Sequence, residues 1–299
     1  MDLRHLRTFL RVYSHRSISA AALEMGVSQP ALSKVLRRLE GEFGVPLFDR
    51  LPRGLEPTEY GKALAEAARA IDTNYRLAMR QIDSMRDAKV GELNIGAGAT
   101  WRDRLLPEAV ATFVERRPGV RVTIQTGSSD TILTSLIDGE IDMAFVPVQD
   151  GAQYSQDVRS EVLVTDTLVV AARKGHPLTG RRDVPLAELA QLRWAMATGR
   201  YVAERFRAVF KRYGIDPPEP IVATEDMNCL LDVVSRTDLV AYVPRLRIAL
   251  RNDDRLAVVR SKQAEADRST GIVMRNRTRP TALQAEFLKT LKQVVGRTQ

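Results

Sequence analysis

A single cysteine, Cys229, in 299 residues leaves no intrachain disulfide possible. Three histidines, His5, His15 and His176, are too few and too scattered for a structural zinc site of the usual spacing. No apolar run approaches the roughly 18 residues of a membrane span. The opening Met1-Asp2-Leu3-Arg4-His5 is already amphipathic, without the charged-then-apolar pattern of a secretory signal, so the expected location is the cytoplasm, away from membranes. Glycine-rich phosphate loops, a nucleophile elbow and a metal-spaced histidine cluster are also missing, and the carboxylates show no acid–base pairing. The expectation is therefore a protein that is not an enzyme, with no catalytic residue, no metal and no cofactor.

What is present is ordinary for folded domains: 44% apolar and 27% charged residues. The length exceeds that of one usual core, which points to two or three domains. An excess of 45 basic over 37 acidic residues gives a net charge of +8. That favours a polyanionic partner and is equally compatible with a solvated surface.

The first sixty residues carry a pattern. Leu6, Phe9, Leu10 and Tyr13 follow the i, i+3, i+4, i+7 spacing of a helix with one buried face. Ser17 can cap a short helix through Met25 that Gly26 ends. Ser28 can cap a third helix, with Pro30 in its first turn, running to about Phe43 before Gly44. Leu32, Val35, Leu36 and Leu39 form its buried stripe, while Gln29, Ser33, Lys34, Arg37 and Arg38 project from the other side. Two helices joined at a tight glycine turn, the second polar and basic outward, describe a helix-turn-helix, in which amides and guanidinium groups suit base edges and lysines suit phosphates. A solvated basic helix in an ordinary bundle fits the periodicity equally well.

The next stretch favours the first alternative. Leu47–Leu51 and Leu55–Pro57 are short extended runs around the turn Pro52-Arg53-Gly54, a hairpin that would bring Arg50 and Arg53 to a DNA backbone or minor groove. Taken in order, Ser17-Ile18-Ser19-Ala20-Ala21-Ala22-Leu23, Val27-Ser28-Gln29-Pro30-Ala31-Leu32-Ser33, Leu39-Glu40, Gly44-Val45-Pro46-Leu47-Phe48-Asp49-Arg50 and Thr58-Glu59-Tyr60-Gly61 resemble the signature of LysR-type transcriptional regulators. The resemblance implies that Ser28, Gln29, Pro30, Ser33 and Lys34 face the DNA groove and that Arg50 and Arg53 serve the wing. With Ser17, Ala31, Arg37 and Arg38 these complete the candidate DNA-binding set.

From Thr58 to about Lys89 no proline interrupts the chain, and a helix of about 30 residues would make a rod of roughly 45 Å. Leu64, Ala68, Ile71, Tyr75, Ala78, Ile82 and Met85 alternate spacings of four and three, a heptad seam that fits self-association or, less well, a surface helix on its own domain. Pairing would set two DNA heads apart to read half-sites about 34 Å from one another. The resemblance implies a tetramer of two such dimers. The expected domains are a winged helix-turn-helix over 1–60, a linker and dimerisation helix over 61–90, and an α/β effector-binding domain over 91–299.

Beyond Gly91, strands and amphipathic helices alternate: strands at 92–97, 120–124 and 141–146 with helices near 103–116 and 130–138, then strands at 163–172, 220–223 and 239–243 with helices near 201–213 and 226–235. A strand at 269–274 and a terminal helix through Phe287, Leu291 and Val294 would return to the first half. This is an α/β fold of two lobes resembling periplasmic binding proteins, lobe I over about 91–161 and 267–299, lobe II over about 162–266. Ligands of such sheets bind beyond strand C-termini, where helix starts offer N–H donors. The loops at those places hold Ala99, Thr100 and Trp101; Thr126, Ser128 and Ser129; Val146 and Pro147; Thr198, Gly199, Arg200 and Tyr201; and Thr224.

Helix capping explains any one of these hydroxyls. Their convergence on one cleft, implied by the resemblance, would make a site for an effector of unknown identity, expected to be a small organic anion. Arg200 or Arg102 would supply charge, and Trp101 and Tyr201 would suit an aromatic body. Arg236-Thr237-Asp238-Leu239 departs from the family's common Gly-x-Gly, which puts that turn in question. His176-Pro177-Leu178 reads as a turn, and Cys229 as a small packed residue. A solute-binding protein fits the two-lobed half alone and an enzyme fits nothing specific. The expected function is thus a LysR-type regulator with double-stranded DNA, a small molecule, further copies of itself and RNA polymerase as partners.

Overall fold

A computed structural model describes residues 2–51, 54–86, 91–148, 158–251, 253–276 and 280–297, with backbone alone at 50, 77, 80, 81 and 83–86. By contacts the chain forms two compact units, Met1–Arg86 and Asp87–Gln299.

In the first unit, α1 (Leu3–His15) buries Leu6, Phe9 and Val12. Helix α2 (Ile18–Met25) buries Ala21 and Ala22, and the Ser17 hydroxyl accepts the Ala20 N–H at its start. Gly26 ends it at φ 64°, the left-handed conformation that lets the chain turn at once into α3 (Gln29–Phe43). As its periodicity demands, α3 buries Leu32, Leu36 and Leu39. Strands β1 (Phe48–Leu51) and β2 (Gly54–Pro57) pair antiparallel from Phe48↔Pro57 to Leu51↔Gly54. The hairpin is tied to the corner after α1: the Leu55 N–H donates to the Arg16 carbonyl at 2.8 Å, and the Arg16 guanidinium reaches both Glu56 oxygens at 3.0 and 3.1 Å.

The long helix α4 (Glu59–Arg86) begins against this hairpin. A Cβ at Gly61 would stand 2.1 Å from the Leu47 carbonyl oxygen, so only glycine permits that approach. Ala65 and Ala68 are fully buried in one core with Phe9, Leu36, Leu39 and Phe48, and Leu64 packs against it. Asp72 pairs with Arg7 at 2.6 Å and Arg76 at 3.2 Å. The expected seam therefore divides. Leu64 and Ala68 serve their own unit, while Ile71, Tyr75, Ala78 and Ile82 stay exposed together with Met79. The Met85 side chain lies outside the described residues.

The second unit opens with β3 (Glu92–Ala97), α5 (Ala99–Arg102), α6 (Leu105–Arg116), β4 (Arg121–Thr126), α7 (Ser129–Ile137) and β5 (Met143–Val148), whose strands are parallel. There follow β6 (Val158–Arg173), α8 (Leu186–Leu189), β7 (Trp194–Ala197), α9 (Arg200–Arg212), β8 (Pro220–Thr224), α10 (Met227–Ser235), β9 (Val240–Pro244), α11 (Arg245–Arg251) and β10 (Leu256–Val259). Last come β11 (Ala266–Arg275) and α12 (Ala282–Gly296). The strands form one sheet in the order β4-β3-β5-β11-β6-β9-β7-β8, with β10 also on β6.

The long strands β6 and β11 pair antiparallel through the middle of the sheet, from Ala266↔Leu168 to Arg275↔Val158, and are where the two lobes join. Each lobe covers both faces of its part of the sheet. In the first lobe, Leu93, Ile95, Phe113, Phe145, Phe287 and Leu291 pack on one side, and Ile132, Leu136, Ile141, Val146 and Val273 on the other. In the second, Leu168, Val170, Trp194, Phe206, Phe210 and Tyr242 oppose Ala171, Ala195, Leu230, Leu231, Ala241 and Val243. This is the two-lobed α/β architecture expected from the alternation of elements. The short α5, α8, β7 and β10 and the seven-residue α11 were beyond it, because so few residues do not span a period window.

Candidate nucleic-acid interface and ligand cleft

On α3, Ser28, Gln29, Pro30, Ala31, Lys34, Arg37 and Arg38 are exposed and Ser33 is half-buried. Ser28 precedes the helix in extended conformation, yet its hydroxyl caps no N–H. Both that hydroxyl and the first-turn N–H groups are thereby left to an outside acceptor. Among the described residues the side chains of Gln29 and Lys34 have no partner. Arg37 Nε donates to its own helix at the Ser33 carbonyl, 3.4 Å, and Arg38 pairs with Glu42 at 3.1 Å. The cationic charge least offset on this face is thus that of Lys34 and Arg37. Ser17 is half-buried, and its hydroxyl accepts the Ala20 N–H as the cap of α2. Arg50 lies in β1 opposite Leu55, its side chain outside the described residues, and Arg53 lies outside them altogether.

Between the lobes of the second unit lies a cleft of about 730 Å³ including its open mouth. Of the residues expected there, Ala99, Thr100, Trp101, Ser128, Ser129, Pro147, Thr198, Gly199, Arg200 and Tyr201 line it, brought together from both lobes. The starts of α7 and α9 open onto it. The Ser128 hydroxyl caps α7 by accepting the Thr131 N–H at 3.2 Å, whereas α9 begins after Gly199 with no side-chain cap.

Three expected residues do not line the cleft. Thr126 ends β4 at the sheet edge, paired with Ala97. Val146 is buried in the core beneath α7, its carbonyl accepting the Thr270 hydroxyl at 2.9 Å. The Thr224 hydroxyl accepts the Asp226 N–H at 3.1 Å, turning the chain into α10. Trp101 reaches the cleft wall as a core residue. Its indole is fully buried against Phe145, ring centroids 5.2 Å apart, and donates to Thr270 Oγ1 at 2.7 Å, so it is not a free aromatic surface.

The charges also differ from expectation. Arg200 and Arg102 each face a carboxylate of the opposite lobe, Asp130 at 3.2 Å and Asp226 at 3.6 Å. The buried cation of the cleft is Arg268, which sequence reasoning missed. It stands on β11 across from Asp166 of β6, its side chain 3% exposed, and its Nη2 donates to Thr100 Oγ1 at 2.9 Å. Burial pushes its pKa below the usual guanidinium value, with Asp166 and Tyr201 opposing. Thr270, two residues on and so on the same strand face, also lines the cleft. The strand starts at Ala266, three residues before the expected Ser269, and so includes Arg268. Gly98, Asp130, Val202, Met227 and Pro244 are further wall residues that the loops did not announce.

The uncertain turn is built without glycine: the Thr237 hydroxyl donates to the Val233 carbonyl at 2.9 Å and accepts the Leu239 N–H at 3.3 Å, away from the cleft lining. His176 is a buried turn residue whose Nδ1 accepts the Leu178 N–H at 3.3 Å. Cys229 is exposed, not packed, because it stands on the outer side of α10 from Leu230 and Leu231.

Residues 3–62 match the model of the bacterial regulatory helix-turn-helix protein of the lysR family, and residues 86–296 match the LysR substrate binding domain. The chain belongs to the LysR family of transcriptional regulators. It is 30% identical over 247 residues to the HTH-type transcriptional regulator GalR of Pseudomonas putida, covering 82% of this chain and 62% of that one. It is 31% identical over 210 residues to the RuBisCO operon transcriptional regulator of Allochromatium vinosum, 69% of this chain and 68% of that one. The matched segment thus spans under two thirds of the GalR length. The crystal structure of CbnR, a LysR family transcriptional regulator, aligns over 99% of both chains with a TM-score of 0.63 at 22% identity, a likeness of fold. In this LysR chain the helix-turn-helix match ends just inside α4, and the substrate-binding match spans both lobes and the cleft between them.

Proposed function

We propose that this LysR-type protein binds double-stranded DNA as a cytoplasmic homodimer joined through α4, assembled into a tetramer, and that a small organic anion in the interlobe cleft alters its DNA complex and its contact with RNA polymerase. The observation that carries the ligand half is the cleft itself. It is walled from both lobes by hydroxyls, an uncapped helix start and a buried guanidinium. Anions are favoured at helix N-termini and by charge-assisted hydrogen bonds. The DNA half rests on the exposed Ser28, Gln29, Lys34 and Arg37 of α3, held in place by the cores of α1 and α2.

A regulator of this kind needs an element that ligand and DNA both bias. Lobe closure supplies one, since it changes the surfaces that one effector domain offers another. The test is a nuclease footprint on a bound operator with and without the cleft ligand. A changed footprint or DNA bend supports the reading, and a ligand that binds tightly while leaving both unaltered opposes it.

A further inference from the structure

Arg200, which lines the cleft, and Arg102, next to the lining residue Trp101, are already drawn to Asp130 and Asp226 of the opposite lobe. Arg268, deep inside, is not so satisfied. Of the five N–H donors of its guanidinium, the described residues engage one, Nη2 with Thr100. Its Nε has no acceptor, and the nearest Asp166 oxygen, 3.6 Å away and itself without a hydrogen bond, balances charge without closing a bond. A second unengaged donor comes from the other lobe. The Tyr201 hydroxyl is buried with no partner among the described residues, while the Arg205 guanidinium lies 5.5 Å from the centroid of its ring. Buried donors left unmade are costly, so an acceptor that meets both is favoured beyond what either would give in water.

Resting on the reading of this cleft as the effector site, we infer that Arg268 and Tyr201 form its anion subsite and that the ligand is a small monocarboxylic acid whose carboxylate bridges the guanidinium and the phenol. A planar group with two oxygens suits one guanidinium edge and one hydroxyl. A phosphate dianion needs more positive charge than a single guanidinium already faced by Asp166 supplies. The remaining wall, Pro147, Val202, Met227 and Pro244, suits an apolar body. Because Tyr201 belongs to α9 of the second lobe and Arg268 to the crossing strand β11, an occupied subsite ties the lobes together and favours their closed arrangement.

The test is calorimetry on the full chain with isovalerate, hexanoate and phenylacetate, their primary amides, and phenyl phosphate. At least one acid is expected to bind, and the amides and the phosphate are not. Tyr201→Phe removes a hydroxyl without a partner, so its melting temperature should equal or exceed that of the wild type while acid affinity falls about ten-fold or more. Arg268→Lys keeps a charge beside Asp166 and should weaken the acid further. Amides that bind as well as acids, binding of the phosphate alone, no binding by any acid, or unchanged affinity in Tyr201→Phe would each overturn the subsite. Gly199→Trp, where an added Cβ meets nothing within 4 Å, fills the cleft mouth and separates the two readings. Acid binding abolished in Gly199→Trp but unaffected by Tyr201→Phe removes the subsite and leaves the cleft. Acid binding indifferent to all three variants removes the cleft as the site.

Discussion

Arg247 of α11 and Asp103 after α5 form a buried ion pair that joins the two lobes, and the same guanidinium donates to the Ala99 carbonyl at 2.8 Å and to Asn228 Oδ1 at 2.8 Å. Burial, with Arg102 and Arg251 nearby, pushes the Arg247 pKa down to about 10, still charged at neutral pH. The Ala99 bond places this strut one residue from Thr100 at the cleft wall. Asp103→Asn would leave a fully buried cation without its counter-charge, at a cost of about 3–5 kcal/mol in urea unfolding. Replacing both, Asp103→Asn with Arg247→Met, should recover much of that loss.

On the α3 face, Gln29 and Lys34 should separate by the kind of group each meets on DNA. Gln29→Ala is expected to cost about 1–3 kcal/mol of discrimination at one base position. Lys34→Ala should weaken binding to all sequences alike and make the slope of log affinity against log salt shallower by about 1, the effect of one phosphate no longer neutralised. Fluorescence anisotropy over a salt series reads both.

Within one chain, Ile71 and Ile82 of α4 are 43% and 50% exposed. Ile71→Glu with Ile82→Glu should therefore change the stability of the unit by only about 0.5 kcal/mol per site. The double variant should nevertheless sediment as a monomer, whereas the wild type is expected to sediment as a dimer or tetramer. A variant that keeps the wild-type mass would remove α4 as the pairing surface.

Burial lowers the His176 pKa below its usual 6.5, the pull of Asp238 being opposed by Arg173. The unfolded chain then takes up a proton near pH 6.5 that the folded turn resists, so the contribution is complete above that pH and declines as pH falls through it. The wild-type melting temperature should drop between pH 7 and pH 5 by more than that of His176→Gln.

Much of this was legible in the sequence because long periodic segments report their buried faces directly. Leu32, Leu36 and Leu39 announce α3, and Leu230, Leu231 and Val234 announce α10. The loops of the cleft followed from strand ends, which is why Thr100, Ser128 and Gly199 were found. Side-chain fates were not legible. Whether a hydroxyl caps a helix, as Ser17 does, or remains unengaged, as Ser28 does, depends on local backbone geometry with no compositional mark. Arg268 stayed hidden because a charge inside a strand reads as solvated until Asp166 and Thr100 are seen beside it.

The most direct test of the central claim is selection of fragmented genomic DNA on the purified chain at about 150 mM salt, where nonspecific attraction is weakened. The account predicts a few enriched sites, each with two half-sites a helical turn or more apart, and no such enrichment in Lys34→Ala with Gln29→Ala. No enriched sequence, or enrichment unaffected by those two substitutions, would contradict α3 as the reader of DNA.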